Sequence, residues 1–270
     1  MSVIMALDRW ALRPWSYAML SVVAPLHAGL LMRDLVFELD QLGIVSVSLA
    51  AALRLDGISL ARCGLPLDRT GLRLLSGGVL LAFGAVMVLV AITAALGAYR
   101  IDGLQYGLVG SVRVEVIAIT TYLATGLAEE LWFRSYPLTV LTGSTGFLPA
   151  SLVTSALFGL WHVASPGVNW QAVIMIAGAG LSLCLLRWLT GSLWFGIGSH
   201  ATWDYLNSAF GLDGAGSSRG GHLFNARLQG PDWLTGGGAG MESSLLGGVI
   251  ELLLLIIPLA WFLPQRLRAR

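Results

Sequence analysis

From Leu74 to Gly97 the chain runs without a single charged side chain. A helix needs about 20 mostly apolar residues to cross a bilayer, and this run supplies them. In hydrocarbon the backbone must satisfy its own polar groups, so the stretch reads as a membrane-crossing helix. Composition extends that reading to the whole chain. Of its 270 residues 56% are hydrophobic and 11% charged, where soluble domains carry about 25% charge. The expected fold is all-α, a polytopic transmembrane helical bundle of about eight spans, with seven as the alternative. A net charge of +1 offers no basic surface for nucleic acid. Every Lys/Arg position is arginine, which leaves no lysine for catalysis. Cys63 and Cys184 are far apart and form neither a disulfide framework nor a thiolate metal site.

The first span is expected over Pro14–Met32, retained rather than cleaved as a signal. A charged patch (Arg33, Asp34, Glu38, Asp40) separates it from a short apolar run, Leu42–Leu53, and a basic, turn-rich segment, Arg54–Arg73. After Leu74–Gly97 comes a long stretch, Val114–Leu141, interrupted by Glu129, Glu130 and Arg134 and closed by the turn signal Thr142–Gly146. Leu148–His162, Trp170–Leu189 and Leu193–Phe210 follow, then a glycine-rich loop, Gly211–Gly240, and a last span, Leu245–Leu263. The expected organisation is one membrane-embedded domain, residues 1–270, with a core at 114–207. Arg54, Arg62, Arg69, Arg73, Arg187, Arg266, Arg268 and Arg270 fall on one side, which the positive-inside rule makes cytoplasmic. A cavity would then open toward the glycine-rich loop.

Charge inside a span is expensive and tends to mark function. The densest cluster is EELWFR, Glu129 to Arg134. On a helix Glu130 and Arg134 stand four residues apart on one face and can pair. Glu129 is rotated about 100° away and points elsewhere. Two further signals are FGLWH (Phe158 to His162) and HATWD (His200 to Asp204). Counted at 1.5 Å per residue, Glu129 lies roughly 20 Å from the turn at Thr142 and His162 roughly 22 Å from it. His200 and Asp204 lie roughly 14 and 20 Å past the next turn on that side, near Gly191. All four reach a similar depth. Singly, each has a structural reading: an ion-pair knot for Glu129 and Glu130, a satisfied interfacial histidine for His162 or His200. The shared depth is what joins them. His27 and Glu251 lack a sequence partner and are read as structural, and His222 as solvated.

EExxxR, FxxxH and HxxxN/D on successive helices resemble the CPBP family of intramembrane proteases, which includes the type II CAAX prenyl endopeptidases. The match uses Glu129, Glu130, Arg134, Phe158, His162, His200 and Asp204, and the segment Pro231–Ser243 is similar to one in bacterial members. The resemblance implies peptide-bond hydrolysis in a membrane, a bacterial plasma membrane being the expected location. It makes Glu129 the general base and His162 its partner. His200 and Asp204 would line the oxyanion site, while Glu130, Arg134 and Phe158 hold the geometry. The implied partners are the bilayer and a peptide or lipidated protein substrate. A carboxyl group in apolar surroundings is a stronger base than one in water. Asp204 is awkward, because an ionised carboxylate only accepts hydrogen bonds. It must be protonated, orient His200 or bind metal. No cofactor is favoured, with zinc on Glu129, His162, His200 and Asp204 left open. The competing readings are a non-catalytic peptide-binding immunity or scaffold protein and a proton- or ion-coupled transporter. The chain shows no repeated halves with paired broken helices to favour a transporter. Serine proteolysis at Ser199 lacks a GxSG setting.

Overall fold

The structure, a computed structural model, describes residues 26–165, 167–213 and 222–268. Nine helices lie in these residues: α1 (Leu26–Asp56), α2 (Arg69–Ala95), α3 (Leu108–Arg134), α4 (Tyr136–Thr145), α5 (Phe147–Trp161), α6 (Trp170–Thr190), α7 (Trp194–Ala209), the one-turn α8 (Asp232–Thr235) and α9 (Leu245–Arg268). Two strands, β1 (Tyr99–Leu104) and β2 (Phe224–Leu228), form an antiparallel ribbon. Six segments are long and apolar enough to cross a membrane, at residues 31–56, 69–95, 108–145, 147–164, 170–190 and 245–268. Their outward faces are greasy, with Leu80 72% and Leu252 65% exposed, as a lipid-facing surface requires. The chain is an integral, multi-pass membrane protein.

α7 has only 16 residues and carries His200 and Asp204, yet it lies inside the bundle. It packs most extensively on α2 and next on α3, so protein rather than lipid surrounds its polar groups. Glycines allow that depth. A Cβ on Gly78 of α2 would fall 2.1 Å from the Phe195 carbonyl oxygen, and one on Gly198 of α7 would fall 2.3 Å from that of Leu75. Small residues that let backbones touch are the usual means of helix association in lipid. Local chemistry sets the helix limits. Asp68 caps α2 by accepting from the Gly71 amide at 2.9 Å, and Asn169 caps α6 from Ala172 at 2.9 Å. Gly191, at φ +70°, closes α6.

Three expectations need correction. The first expected span, Pro14–Met32, lies outside the described residues up to residue 25. From Leu26 a single helix continues to Asp56, so the charged patch does not separate two spans. Asp34, Glu38 and Gln41 recur at four- and three-residue spacing, and Glu38 and Gln41 are buried. They share the face packed on α3. The stretch Val114–Leu141 is two helices, because the backbone leaves α-geometry at Ser135 (ψ −108°). Pro137 enforces the break: it has no N–H, and its ring would strike the carbonyl of Phe133. The depth count that ran through this point assumed a continuous helix that does not exist.

The glycine-rich segment is the third case. Its described part is ordered around β2, α8 and two single 3-10 turns. Leu212 and Met241 are fully buried against Ala85, Val86 and Leu89 of α2. β2 pairs with β1 in register Tyr99↔Leu228, and Asp102 ties the ribbon through Arg100 at 2.9 Å and Arg227 at 2.7 Å. The Tyr99 hydroxyl donates to the Phe210 carbonyl at 2.7 Å. The ribbon thus caps the end where α2 and α7 finish and α3 and α9 begin. At the other end Arg187 donates to Thr139 at 2.6 Å, and Arg266 stacks over Trp188.

Candidate catalytic site

Three helices bring the motif residues together. The last turns of α3 carry Glu129, Glu130 and Arg134, the end of α5 carries Phe158 and leads into His162, and the middle of α7 carries His200 and Asp204. α3 and α7 approach closely because Gly126 faces Ala201, leaving 3.0 Å for a Cβ that is absent.

The lower layer is a buried charge pair. Glu130 and Arg134 are both 0% exposed, and Arg134 Nη1 donates to Glu130 Oε1 at 3.1 Å. The guanidinium lies 3.9 Å from the centre of the Phe158 ring, a cation–π contact in a dry setting. Two glycines leave room for these groups. A Cβ on Gly180 would meet Arg134 Nη2 at 2.8 Å, and one on Gly196 would meet Glu130 Oε2 at 3.3 Å. Phe158 also stands edge-on to both histidines, with ring centres 4.8 Å from His162 and 5.8 Å from His200. The motif phenylalanine is therefore a shared wall.

The upper layer is centred on Glu129. Its Oε1 is 3.7 Å from His162 Nε2, and its Oε2 is 3.4 Å from His200 Nε2. His162 Nδ1 lies 2.9 Å from the Phe158 carbonyl oxygen one turn back. A carbonyl can only accept, so Nδ1 carries the proton, and in the neutral ring Nε2 presents a lone pair toward Glu129. His200 faces carboxylates on both sides: Nδ1 is 3.3 Å from Glu130 Oε1, and Nε2 is 3.5 Å from Asp204 Oδ2 as well as 3.4 Å from Glu129. Carboxylate oxygens thus flank both ring nitrogens, and their negative charge favours the imidazolium.

The sequence assigned Glu130 to Arg134 alone. Its contact to His200 joins the two layers, and nothing in the spacing within either motif signals it, because it crosses between helices. Asp204 stands against His200, with Oδ2 3.5 Å from Nε2. The Glu251 carboxylate, read from sequence as structural, faces a cavity that His200 also lines.

Zinc fits this arrangement poorly. The pairwise separations resemble edges of a tetrahedral site, in which ligands about 2.1 Å from the metal stand roughly 3.4 Å apart. Among the described residues, however, no three His, Cys, Asp or Glu side chains converge on one metal position.

Residues 112–206 match the family model of the Rce1-like type II CAAX prenyl endopeptidases. The Rce1-like segment begins one turn into α3, ends near the close of α7 and contains every motif residue named above. Comparisons with curated proteins and with solved structures return no match. The Rce1-like match supports a CAAX-protease-type intramembrane peptidase in general terms.

Proposed function

We propose that this protein is an intramembrane endopeptidase in which Glu129 activates the attacking water. One observation carries the reading: the Glu129 carboxylate stands between two histidines, His162 from the turn that follows α5 and His200 from α7, at 3.7 and 3.4 Å. A water hydrogen-bonded to Glu129 Oε1 and His162 Nε2 gives one proton to the carboxylate as its oxygen attacks the scissile carbonyl carbon. The carbonyl π bond opens onto oxygen, and the imidazolium of His200 stabilises that oxyanion. The carboxylic acid formed at Glu129 then protonates the leaving nitrogen as the C–N bond breaks, which restores the carboxylate. Asp204 holds His200 rather than facing the oxyanion, so its negative charge does not oppose the reaction. Glu130 fixes the other side of the ring and is itself held by Arg134.

The substrate is a membrane-associated peptide or lipidated protein, reached within a bacterial plasma membrane. The end of the bundle carrying Arg62, Arg187 and Arg266 faces the cytoplasm. The core of the domain spans residues 114–207. No step requires a metal. Purified protein in detergent is expected to cleave members of a peptide panel at the same rate with and without a strong divalent-metal chelator. Loss of cleavage on chelation, restored by added zinc, would replace the glutamate-and-water mechanism with a metal-dependent one.

A further inference from the structure

Arg113 takes no part in the site above. It lies in the second turn of α3, on the helix face shared by Val109, Val112 and Val116. Val109 is 85% and Val116 62% exposed, so this face of the membrane-crossing segment 108–145 is turned to lipid. Among the described residues no group hydrogen-bonds or ion-pairs with the Arg113 guanidinium. Glu115, two residues on and about 200° around the helix, accepts instead from the Tyr205 hydroxyl of α7. An arginine does not shed its proton, and beside hydrocarbon its charge is costly until an anion meets it.

Helix geometry shows where that anion comes from. Side chains lean toward the N-terminus of their helix, so Arg113 points back over Val109 toward Leu108. That end, about 7 Å along the axis, is where α3 leaves the hydrocarbon beside the β1–β2 ribbon, and a long basic side chain reaches headgroups from this depth. No side chain caps the first turn of α3, and its amides add partial positive charge there. Beside Arg113 an open groove of about 700 Å3 runs between α1 and α3, lined by Met32, Leu108, Val109, Val112 and Val116. Among the described residues Arg113 is the one charged group lining it. The groove continues into the lipid-facing surface of α3, where Ile119 and Leu123 are exposed. An apolar trough with one cation directed to its headgroup end matches a phospholipid in both parts.

We propose that Arg113 and this groove bind one anionic phospholipid, with its phosphodiester at the guanidinium and an acyl chain between α1 and α3. Arg113 lies about 24 Å along α3 from Glu129, so the inference stands apart from the endopeptidase reading. The test titrates the delipidated full chain in detergent with phosphatidylglycerol and follows the first bound lipid by native mass spectrometry. Diffuse attraction between one arginine and an anionic lipid is worth about fivefold in affinity, whereas a direct guanidinium–phosphate contact is worth about tenfold or more. Arg113→Gln keeps most of the stem, and it is expected to weaken the first site at least about tenfold while melting like the wild type without lipid. Val109→Glu gives Arg113 a partner one turn back and is expected to weaken the site as much. Excess inorganic phosphate is expected to leave the lipid bound. A fall of about fivefold or less in Arg113→Gln overturns the proposal, since general attraction then suffices. Displacement by inorganic phosphate overturns it in favour of a free-anion site. No uptake by the wild type, as when another segment of this chain fills the groove, overturns it as well.

Discussion

Glu129→Gln lowers kcat for peptide cleavage by about 10³-fold, with KM changed only severalfold, in the result expected from this site. General acid–base catalysis by one placed group contributes roughly 10²–10⁴ in rate, and in the proposed mechanism Glu129 serves twice, as base toward water and as acid toward the leaving nitrogen. Glutamine keeps the shape and can still hydrogen-bond water, but it cannot take up the proton. Loss of a transition-state role lowers kcat and kcat/KM together, whereas loss of a packing role would show first in stability. The variant is therefore also expected to keep the wild-type melting temperature in detergent. Glu129 is partly exposed, and the bundle does not rest on it: the buried pair below it is Glu130 with Arg134.

The largest effect on stability is expected at Arg134. Arg134→Met keeps much of the volume against Phe158 and removes the cation facing Glu130. That leaves a carboxylate with 0% exposure whose one remaining hydrogen-bonded partner among the described residues is His200, at 3.3 Å. Removing one member of a buried pair costs about 3–5 kcal/mol, so the variant should melt well below the wild type and lose its monodisperse peak on size exclusion. Replacing both members together, as Glu130→Leu with Arg134→Met, is expected to recover most of the stability, since no buried charge is left unpaired. Activity should not return with it. His200 would have lost the carboxylate that faces Nδ1, and with it the contact that favours the imidazolium and fixes the ring. Stability and catalysis would thus separate in one pair of variants.

Much of the site was legible because its chemistry is carried by charges where charge is rare. Glu129, Glu130, Arg134, His162, His200 and Asp204 stand out against apolar sequence, and the four-residue spacing of Glu130 and Arg134 reports a shared helix face. What the sequence hides is what happens between helices. The link from Glu130 to His200 and the turn of Asp204 onto His200 depend on how α3 and α7 cross, and Gly126 and Ala201 set that crossing without any charge signal. Glu251 looked isolated for the same reason, because its neighbours come from α6 and α7. In the fold, hydropathy located α2, α5, α6 and α9 well. It failed in α1, where Glu38 and Gln41 are polar but face protein, since hydropathy does not distinguish a polar helix face from a loop. It missed the break at Ser135, although Pro137 signals it through ordinary proline stereochemistry. The β1–β2 ribbon was hidden by short strands inside segments rich in glycine and charge.

The central claim is that Glu129 and His162 act on one water as a unit, and a double-mutant cycle on peptide cleavage tests it most directly. Cleavage rates would be measured for the wild type, Glu129→Gln, His162→Ala and the double variant, each checked by its melting temperature. Residues that act together lose their effect together, so the double variant should be no more than a few-fold slower than Glu129→Gln alone. Losses that multiply across the two substitutions would contradict a shared water, and full activity in Glu129→Gln would contradict the mechanism itself.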